Sequence, residues 1–297
     1  MKLKKLVAAM EVPATQKVKL KNYETKCSQK NIDKAEAQRL MDKGVQQLRE
    51  LQDKLYSHNE HSVLVVIQAM DAAGKDSVVN HVLSGLNPTG VKVTPFRAPT
   101  HIELDHDYLW RHNLALPGRG EIGIFVRSHY ENVLVTRVHP GYILSEKIPG
   151  IDAFGKIDKA FWKMRYRQIN NWEQHLAENG TTIIKIFLYS SKAEQKVQLM
   201  ERITEPTKNW KFNIGDVEER RYWDDYMHAY EEMLNHTSTT YAPWFVVPAD
   251  DRWFARLAVS TIIYQEFEKL KLQYPKATPE QLESLQKAKA MLESEED

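Results

Sequence analysis

The first sustained pattern along the chain is a three- and four-residue recurrence. Ala37, Met41, Val45, Leu48, Leu51 and Leu55 fall on one side of a helix that starts near Asp33. Such a stripe suits packing over the protein's own core, with a coiled-coil partner as the alternative. The pattern then changes. Ser62 to Gln68 (SVLVVIQ) is almost wholly apolar and rich in β-branched residues, as a strand covered on both faces should be. A helix is predicted from Lys75 to about Leu86, ending before the turn-forming Asn87-Pro-Thr-Gly90. Val91 to Phe96 and Glu121 to Val126 read as the second and third strands. A long helix from about Ile157 to Glu178 stops at Asn179-Gly180, and Thr182 to Tyr189 and Trp244 to Val247 supply two more strands. Residues 191–235 read as helical and heavily charged, and 252–272 as a helix carrying Phe254, Leu257, Ile262, Phe267 and Leu270. Strands alternating with helices in this way predict βαβ units, a parallel sheet and the α/β class.

The two ends read differently. Residues 1–30 lack a sustained period and predict an extended arm. The tail, residues 273–297, contains Thr278-Pro279-Glu280-Gln281, with an N-cap threonine, a proline at the first helical position and glutamine at the third. No internal repeat or low-complexity linker interrupts the chain, so 1–297 reads as one decorated domain.

Composition narrows the setting more than the chemistry. With 297 residues, 42% hydrophobic and 27% charged, the chain can bury a substantial core without covalent staples. Cys27 is the sole cysteine, which excludes an internal disulfide and a cysteine-rich zinc site. The net charge of +1 points to no polyanion, so only local clustering can. The basic opening has an apolar run of only five residues before Glu11, unlike a signal peptide. No stretch approaches the roughly 18 apolar residues of a membrane span. A cytoplasmic protein without a membrane partner is expected.

Three segments carry candidate chemistry. After the first strand comes Ala69-Met-Asp71-Ala72-Ala73-Gly74-Lys75-Asp76-Ser77. Against the phosphate-loop pattern G-x-x-x-x-G-K-[ST], it keeps the second glycine and the lysine but has Ala69 and Asp76 at two motif positions. Backbone N–H groups at the helix start can still cradle phosphate oxygens, and Lys75 can neutralise them. With the magnesium-binding hydroxyl gone, Asp71 becomes the candidate metal ligand or orienting group. The alternative is a plain strand–turn–helix in which Gly74 permits a sharp turn.

The second segment is the strand ending in Val126-Arg127-Ser128-His129-Tyr130-Glu131. Strand ends in a parallel sheet converge on the phosphate-loop edge, so Arg127 can meet a transferring phosphoryl and Glu131 can serve metal or nucleotide. A structural salt bridge of Arg127 is the alternative, and His129 suits packing better than catalysis. The third segment holds Arg202, Lys208, Lys211, Arg220 and Arg221 among Trp210, Phe212, Trp223 and Tyr226, aromatic residues able to anchor a mobile basic lid. Glu201, Glu205, Asp216, Glu218 and Glu219 offset those cations, so a solvated helix is the alternative, and the same balance argues against nucleic acid.

Taken together, about residues 15–272 resemble the polyphosphate kinase 2 family, motif after motif in order. Ala69-Met-Asp71-Ala-Ala-Gly74-Lys75-Asp76 is similar to that family's own variant loop, and Phe125-Val-Arg127-Ser128-His129-Tyr130-Glu131 to its second motif. Pro99-Thr100, Glu103, Asp107-Tyr108-Leu109-Trp110-Arg111, Lys208-Asn-Trp210-Lys211 and Ala242-Pro243-Trp244 complete the pattern. The resemblance implies a three-layer α/β/α P-loop kinase fold with a central parallel sheet, related to thymidylate kinases, with a helical lid near 200–235. It implies phosphoryl transfer between inorganic polyphosphate and adenine or guanine nucleotides, with magnesium, or manganese as an alternative, and a homo-oligomer, dimer or tetramer.

Position by position, Asp71, Lys75 and Arg127 match the catalytic residues. Ala72, Ala73, Gly74, Lys75, Asp76, Ser77 and Arg127 match phosphate-binding positions, and Lys208, Lys211 and Arg221 lie in the lid. Arg97, Thr100, Arg111 and Glu131 fall on the nucleotide side, and Asp71 on the metal. Val126 replaces the acid or amide common at its place. The His129-Tyr130-Glu131 version resembles class III members, which phosphorylate both AMP and ADP. The rival readings are an ADP-preferring, class I-like enzyme, an ATP-dependent nucleotide or nucleoside kinase, and a non-catalytic polyanion-binding module.

Overall fold

The computed structural model describes residues 5, 7–27 and 33–295. Helix α1 (Lys34–His58) leads into strand β1 (Ser62–Ala69), and α2 (Lys75–Val82) follows the loop after it. Strands β2 (Val91–Pro95) and β3 (Ile122–Val126) are joined through short helical turns. Helix α3 (Lys159–Glu178) precedes β4 (Thr181–Tyr189). Helices α4 (Lys192–Thr204) and α5 (Trp223–Thr237) separate β4 from β5 (Trp244–Pro248), and α6 (Arg252–Lys269) and α7 (Pro279–Glu293) come last.

All strand pairs named here are parallel, in the order β2-β3-β1-β4-β5. Every residue of β1, β3 and β5 is buried, which explains their near-continuous apolar sequences. Alternate residues of β1 serve opposite faces. Val63, Val65 and Ile67 pack with Leu48 and Leu55 of α1, Val78 and Val82 of α2, and Phe254 and Ile262 of α6. Leu64 and Val66 pack with Tyr166 and Ile169 of α3, and with Tyr230 and Met233 of α5. The result is three layers, helices on both faces of the sheet. The sheet order puts β1 between β3 and β4, so the chain winds to one side after β1 and to the other after β3. A crevice opens at the carboxyl ends of these strands, where phosphate-binding α/β proteins place their ligands.

Side chains punctuate the helix starts, at Thr278 as the sequence predicts. Asp33 accepts from Glu36 N–H, Asp158 from Phe161 N–H, and Thr278 forms a full capping box with Gln281. Helix α2 stops at Val82 rather than Leu86, because the chain turns through Gly85 at a φ of 91°.

The arm is more than extended chain. In its described part, Val12 N–H donates to Trp244 O at 2.8 Å and Val246 N–H to Met10 O at 2.8 Å, in an antiparallel bridge centred on Glu11 and Phe245. Val7, Met10, Val12 and Leu20 are buried in the core. The arm therefore covers the β5 edge, which would otherwise expose unpaired N–H and C=O groups. None of the described residues of α7 is buried.

Candidate active site

Strand β1 delivers the chain to the crevice at Ala69. The loop beyond it needs two left-handed residues, Ala72 at φ 64° and Gly74 at φ 96°. Among the described residues a Cβ at Gly74 would meet nothing within 4 Å, so glycine serves the backbone twist there rather than close packing. Helix α2 begins at Lys75, which aims its first N–H groups at the crevice. Lys75 Nζ lies back across the loop and donates to Ala69 O at 2.6 Å and Met70 O at 3.2 Å. Burial pulls its ammonium below the usual lysine range, while the carboxylate of Asp71 opposes that pull. Asp76 is exposed in the first turn, and the Ser77 hydroxyl accepts from Arg256 Nη2 of α6 at 2.8 Å.

Strand β3 brings the second half. Val126 is buried in the core and offers no ligand atom. Arg127 turns sharply at φ 62°, its N–H reaching Ile67 O at 3.3 Å, and its Nη2 donates to Asp71 Oδ1 at 2.8 Å. This ion pair joins the phosphate loop to the end of β3. Burial works against the Arg127 charge, but Asp71 and Glu131 outweigh it and raise the pKa above the usual value.

Behind Arg127, Ser128 caps a short turn, and Glu131 points back toward β1. Gln68, fully buried one residue before the end of β1, bridges the two. With its amide oriented to satisfy both neighbours, Nε2 donates to Glu131 Oε1 at 3.0 Å and the oxygen accepts from Ser128 Oγ at 3.0 Å and Ser128 N–H at 3.1 Å. Burial raises the Glu131 pKa, with Arg127 and Lys75 opposing.

The turn is held from below by a buried charge network. Glu173 accepts from Tyr130 OH at 2.7 Å, His129 Nε2 at 3.2 Å and Lys185 Nζ at 2.6 Å. Lys185 also donates to Thr237 O at 2.6 Å, and both partners of the ion pair are fully buried. Burial alone would raise the Glu173 carboxyl, but Lys185 and His129 hold it below the usual range.

Beside this floor lies a cavity of about 420 Å³, lined among others by Arg97, Arg111, Arg127, Glu131, Thr136 and Tyr142. Arg111 donates to Arg97 O at 2.8 Å, lies 5.3 Å over the Phe96 ring and stands 3.6 Å from Glu103. Thr100 is not among the lining residues. Its hydroxyl accepts from Glu103 N–H at 3.3 Å in the capping box of a short helix.

Residues 192–222 stand over the loop. Gln195 Nε2 donates to Asp71 O at 3.1 Å, and Arg220 in turn donates to Gln195 Oε1 at 2.7 Å. Lys208 pairs with Glu201, and Arg202 with Asp216 at 2.8 Å. Lys211 lies 5.0 Å over Trp210, and Arg221 lies 4.9 Å over Tyr222. The predicted aromatic anchors divide. Trp223 and Tyr226 are buried on α5, but Trp210 is 79% exposed and Phe212 41%. Only the first two anchor the segment, and α5 belongs to the core. Asp216 is set near Asp71, and burial followed by that neighbouring charge raises its pKa.

Comparison with known proteins decides the family. A family model described as "Polyphosphate kinase 2 (PPK2)" matches residues 31–275. The chain belongs to the polyphosphate kinase 2 family.

Among relatives, it is 51% identical over 264 residues to an ADP-polyphosphate phosphotransferase of Rhodopseudomonas palustris, covering 89% of this chain and 90% of the relative. It is 47% identical over 228 residues to an AMP/ADP-polyphosphate phosphotransferase of Meiothermus ruber, covering 77% and 80%. The crystal structure of polyphosphate kinase 2 from Arthrobacter aurescens TC1 superposes with a TM-score of 0.82 at 39% identity, covering 91% of both chains.

In this polyphosphate kinase 2, Asp71, Lys75, Arg127 and Glu131 come together as their strand ends suggested. Three neighbours went unnoticed in the sequence. Gln68 read as one more residue of an apolar strand, although a lone amide in such a run is a signal for a buried bridge. Gln195 carried no signal. Asp216 counted only as charge offsetting the lid cations.

Proposed function

We propose that this polyphosphate kinase 2 transfers phosphoryl groups reversibly between inorganic polyphosphate and nucleoside mono- and diphosphates, AMP to ADP and ADP to ATP. The observation that carries the reading is the 2.8 Å Asp71–Arg127 contact, which joins the phosphate loop to the mouth of an arginine-lined cavity. Polyphosphate lies along the loop under the 192–222 segment, the lid of this single domain, where Lys208, Lys211 and Arg221 neutralise it. The nucleotide occupies the cavity, its phosphates toward Arg97, Arg111 and Arg127. An oxygen of its last phosphate attacks the terminal phosphorus of polyphosphate in line. The new P–O bond forms as the bond to the shortened chain breaks, and the leaving chain keeps the electron pair. Lys75 and Arg127 face the charge that develops on the transferring group, so positioning and electrostatics do the catalysis.

Asp71, in the phosphate loop, would hold magnesium, or manganese as an alternative. Burial, with a smaller contribution from the Asp71 charge, raises the neighbouring Glu131 and Asp216 carboxyls, while Lys75, Arg127 and Arg202 balance the charge. When bound there, the ion supplies neutralisation and alignment of the phosphates. A homo-oligomer, dimer or tetramer, in the cytoplasm completes the reading. Among the described residues no helix is long and apolar enough to cross a membrane. The name of the Rhodopseudomonas palustris relative favours a second reading, restricted to ADP.

The test is nucleotide formation from the purified protein with magnesium and long-chain polyphosphate, supplied separately with AMP and with ADP. ADP and then ATP from AMP supports the broad reading. ATP from ADP alone selects the restricted one. Product only when ATP replaces polyphosphate as donor overturns both.

A further inference from the structure

At the edge of the sheet opposite the phosphate loop, the turn from α1 into β1 gathers His58, Glu60 and His61. Asn59 adopts φ 53° and ψ 31°, which folds the chain back on itself. One ligand atom from each of the three residues then lies within 4.8 Å of the other two. The imidazole rings are parallel within 5°, their centroids 5.9 Å apart. His58 Nδ1 is enclosed and has no hydrogen-bond partner among the described residues, and Glu60 Oε2 stands 3.9 Å from it, beyond bonding distance. An enclosed nitrogen without a partner calls for a physical account, and a metal ion between these side chains supplies one.

The backbone beneath them is held by three hydrogen bonds to two neighbouring loops. Gly120 N–H donates to His61 O at 2.7 Å, Arg119 Nη1 to Glu60 O at 2.6 Å, and Ser62 N–H to Gly180 O at 3.1 Å. A Cβ on Gly180 would sit 3.2 Å from Glu60 O, so that strand crossing is already tight. Only the side chains need to move.

We propose that this turn is a binding site for a divalent transition-metal ion of the zinc type, held by His58, Glu60 and His61 with water as the fourth ligand. Two imidazoles and one carboxylate suit zinc, whereas magnesium prefers an all-oxygen octahedron. Bonds of about 2.0–2.2 Å put tetrahedral ligand atoms roughly 3.5 Å apart, so the present spacing closes by about 1 Å of side-chain rotation. The eight residues of β1 separate this turn from the phosphate loop, about 26 Å at the usual strand rise. Zinc here would tie the start of β1 to the end of α1 and leave phosphoryl transfer unchanged.

Calorimetric titration of zinc into the tag-free, metal-stripped full chain tests the site. One saturable site per chain is expected, weakened at least about tenfold by His58→Ala or His61→Ala and unmoved by His228→Ala, a change on α5 far along the chain. Zinc-edge absorption fine structure on the parent protein, which needs no variant to fold, is expected to count two imidazoles. Binding unchanged in the His58→Ala/His61→Ala double variant overturns the site, as does a spectrum with fewer than two imidazoles, the mark of an adventitious ion only.

Discussion

The turn after β3 and the segment between α4 and α5 both bring charged groups toward the phosphate loop, yet they hold them in different ways. Beneath the turn, Glu173 and Lys185 are fully buried and are bonded to His129, Tyr130 and a backbone carbonyl. Glu131 and Ser128 are fastened to β1 by Gln68. In the upper segment, Lys208 and Glu201 pair at the surface, each about 40% exposed, and Trp210 stands in solvent. Buried charge pairs are rigid because breaking one strands an ion in a low dielectric, whereas surface pairs exchange with water at little cost. The floor is therefore built to keep one geometry, whereas the pairs of the segment above it can open to water.

The largest effect is expected at the residue that the floor supports. Arg127→Ala should lower kcat by roughly a thousandfold, by analogy with arginines that stabilise phosphoryl-transfer transition states. Near-normal turnover would remove Arg127 from that role. Lys185→Met should leave Glu173 buried without its cationic partner and destabilise the fold by about 3–5 kcal/mol in urea unfolding. A loss below about 1 kcal/mol would show that the network does not set the floor's rigidity.

Gln68→Leu keeps the volume but removes the bridge. Losing a hydrogen bond to a charged group costs about 1.5–3 kcal/mol, so the nucleotide KM should rise at least about tenfold, with kcat and the polyphosphate KM little changed. Equal changes in both KM values would mean general loosening instead. The Glu131 carboxylate in that bridge also carries a pH signature. Burial raises its folded pKa, so its charged form is lost on acidification before an ordinary glutamate would protonate. Stability linked to it is full below the unfolded pKa and is lost as pH rises through the folded one. Glu131→Gln should therefore be at least as stable as the parent at pH 8 while losing the acid limb of nucleotide affinity.

The smallest effect belongs to the upper segment. Lys208→Ala with Lys211→Ala should raise the polyphosphate KM by a factor of about two to five at low salt, in keeping with the weak energies of exposed charges. In the parent the same constant should climb with ionic strength, because those cations are screened. A salt-independent KM would break the contrast between floor and segment.

Much of this molecule was legible one segment at a time. The shift from a helical stripe at Ala37–Leu55 to the apolar run at Ser62–Gln68 predicted α1 and β1, because a residue's burial follows the period of its own element. The phosphate loop and the arginine after β3 were legible for a similar reason, since parallel strand ends must share one edge. What the tertiary structure alone decided were the meetings between distant segments. Trp210 and Trp223 are the same residue type thirteen positions apart, and only the second is buried, because α5 packs on the sheet while the preceding turn does not. Asp216 became a neighbour of Asp71 for the same reason: the fold of 192–222 over the loop, rather than any local pattern, sets which charges face each other. The arm lies on β5 because its backbone pairs with that strand's free edge, which exists only once the sheet does.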